Sequence, residues 1–296
     1  MSQSHSTTDS LGRSTFHSIA PRADVRLTAR DVRWLKHIER HGPQNSQFLF
    51  ELTQDTHRCK DTALRQMQKL RAGGYLRLPI QQRAIEKAEF NPYIYDLGNR
   101  ARSDLIERGL AENTMRPKGH WWHSYAVSCV TSSIEIAAAR CGVKYIPAHV
   151  ILARNGAALE VPTKRGRVIP DQLFALDYGG RFRAFAVEVD RGTEPISSSS
   201  YRKSLTQSIA RYASLIEDDL PRRHYGLNAK LLILWIFSSR VRRKNFLNLL
   251  ERLPEGVCRT FLVFEEDMSV LHRNLQTQYF HGQWLRAVSS SVFLDG

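Results

Sequence analysis

The chain has 296 residues and a formal net charge of +14 at neutral pH, a length that allows two ordinary domains. With 42% hydrophobic residues, it has the composition of a folded protein, and its basic excess favours nucleic acid over a membrane surface as partner. The sequence contains no lipidation signal, no run of 18 apolar residues and no CxxC pair among its four cysteines. We therefore expect a cytoplasmic protein with no membrane contact, zinc site or disulfide framework.

The N-terminal third predicts a small helical domain. Residues 1–24 are rich in Ser, Thr and Gln and predict a disordered arm, and residues 25–112 form the first predicted domain. Thr28 is a good N-cap for a first helix that ends near Gly42, with Asp31 placed as in a capping box. The order of elements predicts a winged helix-turn-helix. After the first helix these elements are a short helix at 46–53, a third helix ending at 73–74, β segments at 75–80 and 92–97, and a last helix from 98 to 110.

The third predicted helix has two unlike faces. Leu64, Met67 and Leu70 form its apolar stripe. In a winged helix-turn-helix this helix enters the major groove, so its basic face predicts contact with duplex DNA. The alternative is a small helical domain with a solvated basic face. The predicted DNA-binding residues, opposed by the single acid Asp61, are Arg58, Lys60, Arg65, Lys69 and Arg71.

A linker at 113–122 separates this part from a second predicted domain at 123–296. That domain opens with a helix ended by Gly142, and strands and helices then alternate. The pattern predicts an α/β fold with a mixed sheet. The predicted strands are 144–153, 168–176, 182–190, 231–237 and 260–264, and the further helices are 198–217 and 242–253.

The most informative stretch of the second domain is a predicted β-hairpin. Two glycines at 179–180 lie between two alternating runs and indicate a two-residue turn. With that turn, opposed residues have numbers that sum to 359, so Asp171 opposes Glu188. Asp190 lies on the same face as Glu188, because side chains alternate with period two.

This register brings three carboxylates together. Like charges on directly opposed residues destabilise a sheet, and a divalent cation offsets that repulsion. Asp171, Glu188 and Asp190 are therefore predicted to bind Mg²⁺ or Mn²⁺, which would polarise a phosphate and activate water. The alternative is that the strands splay and the acids are solvated, or that they pair with Arg181 and Arg183.

The helix after the hairpin carries polar residues on one face. Lys203, Gln207 and Arg211 recur every four residues beside an apolar stripe. A lysine near the metal would orient the attacking water or stabilise charge on the phosphate, and Gln207 is a possible accessory residue. For Arg211, an exposed basic face near DNA is an almost equally good interpretation.

Several motifs resemble the plasmid replication-relaxation family, which itself resembles the C-type mobilisation relaxases. They are "LTARD" at the first helix, Gly-Tyr-Leu after the third helix, "PD" at 170–171 and "EVDRGTE" at 188–194. The resemblance covers most of residues 25–215. It implies a winged helix fused to a PD-(D/E)xK restriction-endonuclease-like domain, with Asp171 and Glu188 as the two acids of its motif.

The resemblance also implies roles for residues outside the hairpin, and the sequence departs from the motif in one place. Asp190 stands where the motif usually has lysine, and Lys203 could supply a migrated amine. Glu135 could match an acid on the opening helix, and His123 falls where the resemblance expects a histidine, although a lone histidine at a helix start is more often a capping or packing residue. "HWWH" at 120–123 offers no third ligand, so the histidine cluster of tyrosine-dependent relaxases is missing.

The sequence favours a DNA-binding protein that nicks a plasmid origin-like site by metal-dependent hydrolysis and works with relaxosome or replication proteins. One alternative is a non-catalytic regulator of plasmid replication or transcription, with a degenerate nuclease fold. Another is a toxin-like or defence nuclease with little sequence preference. Covalent chemistry by Tyr201 or Tyr212 is not favoured.

Overall fold

A computed structural model of the chain describes residues 19–57, 59–84, 92–112, 120–192, 195, 204–265, 275–288 and 291–296. The chain forms two units, one from residues 1–112 with 272–275 and one from 113–271 with 276–296. Most of the predicted disordered arm and of the predicted linker lies outside the described residues. Within the described part, no helix combines the length and apolar character needed to cross a membrane.

The first helix of unit 1, α1 (Ala29–His41), begins as its sequence predicts. The Thr28 side chain accepts a hydrogen bond from the Asp31 N–H, and the Asp31 carboxylate accepts one from the Thr28 N–H. These two bonds satisfy N–H groups that no helical carbonyl can reach. The helix ends at Gly42, whose φ of 115° is easily adopted only by glycine.

The rest of unit 1 is a small three-stranded antiparallel sheet with helices around it. The strands run in the order β1-β3-β2. The predicted strand at 75–80 is mostly wrong, because pairing stops after Arg77 and a 3₁₀ turn (Ile80–Ala84) follows Pro79. The elements are β1 (Gln44–Asn45), α2 (Ser46–Leu52), α3 (Lys60–Ala72), β2 (Leu76–Arg77), β3 (Ile94–Leu97) and α4 (Asn99–Glu107).

Unit 2 is built on a five-stranded mixed sheet in the order β4-β7-β8-β9-β10, so the predicted α/β fold class is confirmed. β7 is antiparallel to both its neighbours, and β8, β9 and β10 are parallel. The elements are α5 (Trp121–Arg140), β4 (Lys144–Pro147), α6 (Ala148–Ala153), β5 (Val161–Thr163), β6 (Gly166–Val168), β7 (Gln172–Asp177), β8 (Phe182–Asp190), α7 (Leu205–Glu217), α8 (Leu220–Tyr225), β9 (Leu231–Phe237), α9 (Arg240–Leu250), α10 (Glu255–Cys258), β10 (Phe261–Glu265) and α11 (Gln278–His281).

Helices cover both faces of this sheet. One face carries Ala184 and Ala186 of β8, which pack in a single buried cluster with Leu205 and Ile209 of α7. α5 packs against β4, β7 and β8, and none of its residues belongs to that cluster, so it covers the other face. Side chains at even positions of β8 therefore point toward α7.

Two predicted strands are shorter in the structure because proline interrupts them. The run at 144–153 pairs only as far as Pro147, after which α6 begins. The run at 168–176 is divided at Pro170 into β6, which pairs with β5, and β7 in the main sheet. Proline has no N–H to donate to a ladder, so each pairing ends near it. α7 begins at Leu205, and the earlier part of the predicted helix lies largely outside the described residues.

Candidate active site

The predicted β7–β8 hairpin and its register are confirmed. Gly179 and Gly180 have φ values of 72° and 96°, as the predicted tight turn requires. Phe174 faces Phe185, and the regular pairing continues down to Gln172 and Val187. It stops there. The Asp171 N–H bonds to the carbonyl of Val187 at 3.0 Å, which already faces Gln172, so Asp171 and Glu188 are not a directly opposed pair as predicted.

Asp171 is held by two hydrogen bonds at the end of β7. Its Oδ1 lies 2.9 Å from Nε2 of His123, in the first turn of α5, and its Oδ2 accepts the Val189 N–H at 2.9 Å. Only 12% of the Asp171 side chain is exposed. Nε2 of His123 can donate to this carboxylate, because an ionised carboxylate only accepts. The two bonds fix the orientation of the carboxylate.

Glu188 is held in the same way from the α7 side. Its Oε1 accepts a 2.6 Å hydrogen bond from the hydroxyl of Tyr212, and both side chains are buried. Burial raises the pKa of Tyr212 well above its usual value, and the negative charges of Glu188 and Asp171 raise it further. Tyr212 therefore stays protonated near neutral pH, which is the wrong state for a tyrosine nucleophile.

Asp190 lies two residues further along β8 but has a different set of partners. Its Oδ2 accepts from Nε of Arg242 at 2.6 Å, and its Oδ1 accepts from Nη2 of the same guanidinium at 3.0 Å. The Gly192 N–H also bonds to Oδ1, at 2.8 Å. A bidentate contact between arginine and a carboxylate is strong and directional. The structure thus places Asp190 in an ion pair with Arg242, a partner that the sequence interpretation did not expect.

The other predicted residues of unit 2 are dispersed. Glu135 lies on α5 more than three turns beyond His123, about 18 Å away at the rise of an α-helix, so it is not part of this cluster. Lys203 lies outside the described residues. Gln207 is half-buried in the first turn of α7, and its Oε1 has no hydrogen-bond partner in the described part of the chain.

The basic face of α3 is present in unit 1. Ala63, Met67 and Leu70 are buried on one side of the helix, whereas Lys60, Arg65 and Lys69 are exposed. Arg71 is only half-buried, and Arg58 lies outside the described residues. The predicted division between an apolar and a basic face therefore holds in part: Leu64 of the predicted stripe is half-buried, and Ala63 is buried instead.

Two residues that define the site were missed by the sequence interpretation. Tyr212 is 24 residues from Glu188, and Arg242 is 52 residues from Asp190. No local pattern relates residues so far apart. The only available signal was indirect: Tyr212 follows Leu205 and Ile209 with helical spacing, which indicates that it faces the sheet.

The fold and the site define a two-unit protein: a small helical unit with a basic helix, and a mixed α/β unit with two fixed carboxylates at one end of its central hairpin. The family model described as "Replication-relaxation" matches residues 35–231, and the chain belongs to this family. Membership points to a role related to plasmid replication or mobilisation. Comparisons with curated proteins and with solved structures give no match.

Proposed function

We propose that this protein nicks plasmid DNA by metal-dependent hydrolysis of a phosphodiester, with unit 1 binding the duplex. The observation that carries the proposal is the pair formed by Asp171 and Glu188. Both are largely buried carboxylates near the end of one hairpin, and each is oriented by a hydrogen bond from a helix, from His123 and Tyr212 respectively. The charges of both carboxylates act on Tyr212, and buried carboxylates favour a cation that offsets their charge.

The donor atoms of the pair fit Mg²⁺ or Mn²⁺. These ions take oxygen ligands, often from one or two carboxylates, and a carboxylate has about four acceptor positions. The hydrogen bonds of Asp171 to His123 and Val189 use two of them. When bound, such an ion supplies charge neutralisation and polarises the phosphate. Asp190 is not needed as a ligand, and its role in this proposal is to fix the end of β8 through Arg242.

His123 acts on the site through Asp171. Its Nε2–H holds the carboxylate in place, so it is a positioning residue. Lys203 is retained as the proposed source of the amine that Asp190 cannot supply, and Glu135 is not included because of its distance along α5.

Unit 1 supports the DNA-binding part of the proposal. The order of its elements is compatible with a winged helix-turn-helix, in which the third helix meets the major groove. This order is helix, strand, helix, helix, strand, strand. Lys60, Arg65 and Lys69 are exposed along that helix and would neutralise phosphates or reach base edges.

The test is a nicking assay on supercoiled plasmid that carries the cognate origin, with Mn²⁺ or with EDTA. Wild-type protein should produce relaxed circles with Mn²⁺ only. Asp171→Asn and Glu188→Gln should abolish nicking and leave duplex binding intact, whereas Glu217→Gln, an exposed acid of α7, should behave as wild type. Nicking in EDTA, or nicking that survives Asp171→Asn, would contradict the proposal.

A non-catalytic DNA-binding regulator is the second candidate. The observation that favours it is that Asp190, bound by Arg242, occupies the place where the motif usually has the lysine amine. It predicts that no divalent metal supports cleavage and that binding depends on Arg65 and Lys69. A third outcome, general degradation of any DNA, would indicate a nuclease without site preference.

A further inference from the structure

A cleft adjoins Glu188 on the α7 side of the sheet. Its walls are α7 and the β5–β6 hairpin, which pack against each other. Two of the residues that line it are arginines, Arg211 of α7 and Arg167 of β6. The lining residues are Arg167, Val168, Ile169, Glu188, Ser208, Arg211 and Tyr212.

Two hydrogen-bond donors in this cleft have no partner within the described residues. Ser208 is 5% exposed, and its Oγ makes no hydrogen bond there. The Nε of Arg211 is also buried without a partner. A buried polar group that is left without a hydrogen bond destabilises the folded state. Ser208 and Arg211 lie three positions apart on α7, so their side chains share one face of the helix.

The backbone of the β5–β6 turn lies directly against the side chain of Arg211. Gly166 has a φ of 116°, and a Cβ at that position would lie only 3.1 Å from Nε of Arg211. The absence of a side chain at Gly166 thus allows the turn to pack directly on the guanidinium. A long side chain that is already held in place loses less entropy when it binds a ligand.

We propose that Ser208 and Arg211 form a binding site for a backbone phosphate of DNA beside the Asp171–Glu188 pair. A hydroxyl and a guanidinium N–H are both donors, and together they suit an anion with several acceptor oxygens. DNA that approaches two carboxylates meets like charge, and Arg211 offsets that repulsion, whereas Arg167 forms an ion pair with Glu160 at 3.2 Å. The assignment of the anion to DNA rests on the proposed nuclease function, but the site for phosphate does not depend on cleavage.

The test uses inorganic phosphate as the probe and the full-length chain. Phosphate should raise the Tm of the wild type above that in chloride of equal ionic strength, because a ligand that binds only the folded state stabilises it. Arg211→Gln should weaken phosphate binding by about 10- to 100-fold, as expected for the loss of a charged hydrogen bond. Arg222→Gln changes an exposed arginine of α8 and should leave the response unchanged.

Ser208→Ala provides a second and distinct readout. It removes a buried hydroxyl without a partner, so in the absence of phosphate its Tm should equal or exceed that of the wild type, while its response to phosphate falls. A merely structural serine would not show these opposite changes. If Arg211→Gln does not fold, Ser208→Ala still tests the phosphate site on its own.

The outcomes separate this site from the nuclease proposal. If phosphate fails to stabilise the wild type, or stabilises Arg211→Gln and Ser208→Ala as much as the wild type, the phosphate site is wrong even if the protein nicks DNA. If both variants lose the response while Arg222→Gln retains it, the phosphate site stands even if no variant nicks. Asp171→Asn should keep the phosphate response and lose only nicking.

Discussion

Replacing Arg242 by methionine should destabilise unit 2 strongly. The Asp190 side chain is 5% exposed and that of Arg242 16% exposed, and the carboxylate accepts two hydrogen bonds from the guanidinium. Removal of one partner leaves a buried charge without compensation, which costs about 3–5 kcal/mol. For a unit of this size, the Tm should fall by on the order of 10 °C.

Removing both charges should restore much of that loss. In the double variant Asp190→Asn with Arg242→Met, no buried charge is left unpaired, and an asparagine oxygen can still accept the Gly192 N–H. Buried ion pairs replaced on both sides are often close to neutral in stability. Circular dichroism melts of the wild type, the two single variants and the double variant give the coupling energy. Lys244→Met, at an exposed position of α9, serves as the matched control.

The same four proteins decide the role of Asp190. If Asp190 only fixes the end of β8, the refolded double variant keeps Mn²⁺-dependent nicking at a rate close to that of the wild type. A double variant that melts like the wild type but has lost nicking would show that Asp190 is a metal ligand. A fall in Tm of less than about 2 °C for Arg242→Met would refute the ion-pair argument itself.

Three further changes have defined outcomes. Burial, with the positive charge of Arg30, lowers the pKa of His57. The contribution of His57 to stability is therefore present above its unfolded pKa near 6.5 and is lost as the pH falls through its folded pKa. The Tm of the wild type relative to that of His57→Phe should accordingly fall between pH 7.5 and pH 5.5. Tyr212→Phe should lower the Tm by a few degrees, through the lost bond to Glu188, yet leave some nicking, and denaturing gels should show no covalent protein–DNA adduct from either protein. The double change of Arg65 and Lys69 to Gln should reduce the slope of log K against log salt by about 2 in duplex binding assays, and an unchanged slope would exclude α3 as the DNA contact.

The hairpin was predictable because two local rules agree. A Gly-Gly pair between alternating runs specifies the turn, and period-two alternation then fixes which residues face each other. Phe174 and Phe185 pair as that arithmetic requires. The prediction failed only at Asp171, after the last regular pair, where the backbone hydrogen bond is made to Val187 instead of Glu188. Register rules describe strand interiors and lose force where a strand ends.

The run at 144–153 shows a different limit. Val150 and Ile151 lie in a short apolar stretch that suits a buried strand or a helix equally well, and the structure has α6 there. The partners of Glu188 and Asp190 could not be predicted for another reason. Tyr212 and Arg242 lie on helices that only the folded sheet brings to β8. Sequence spacing identified that Glu188 and Asp190 share a face, but not what each of the acids contacts.

The ion pair of Asp190 with Arg242 bears on the proposed metal site, because the guanidinium offsets the charge of one of the three predicted acids. Asp190 and Arg242 cancel each other, so the net negative charge near the end of the hairpin comes from Asp171 and Glu188. An Asp190 carboxylate without Arg242 would add repulsion that a single divalent ion only partly offsets, and it would also repel the phosphate that has to approach. In the function proposed above, the ion pair of Asp190 with Arg242 would leave Asp171 and Glu188 to bind one Mg²⁺, and Arg211, which lines the same cleft as Glu188, would meet the incoming phosphate.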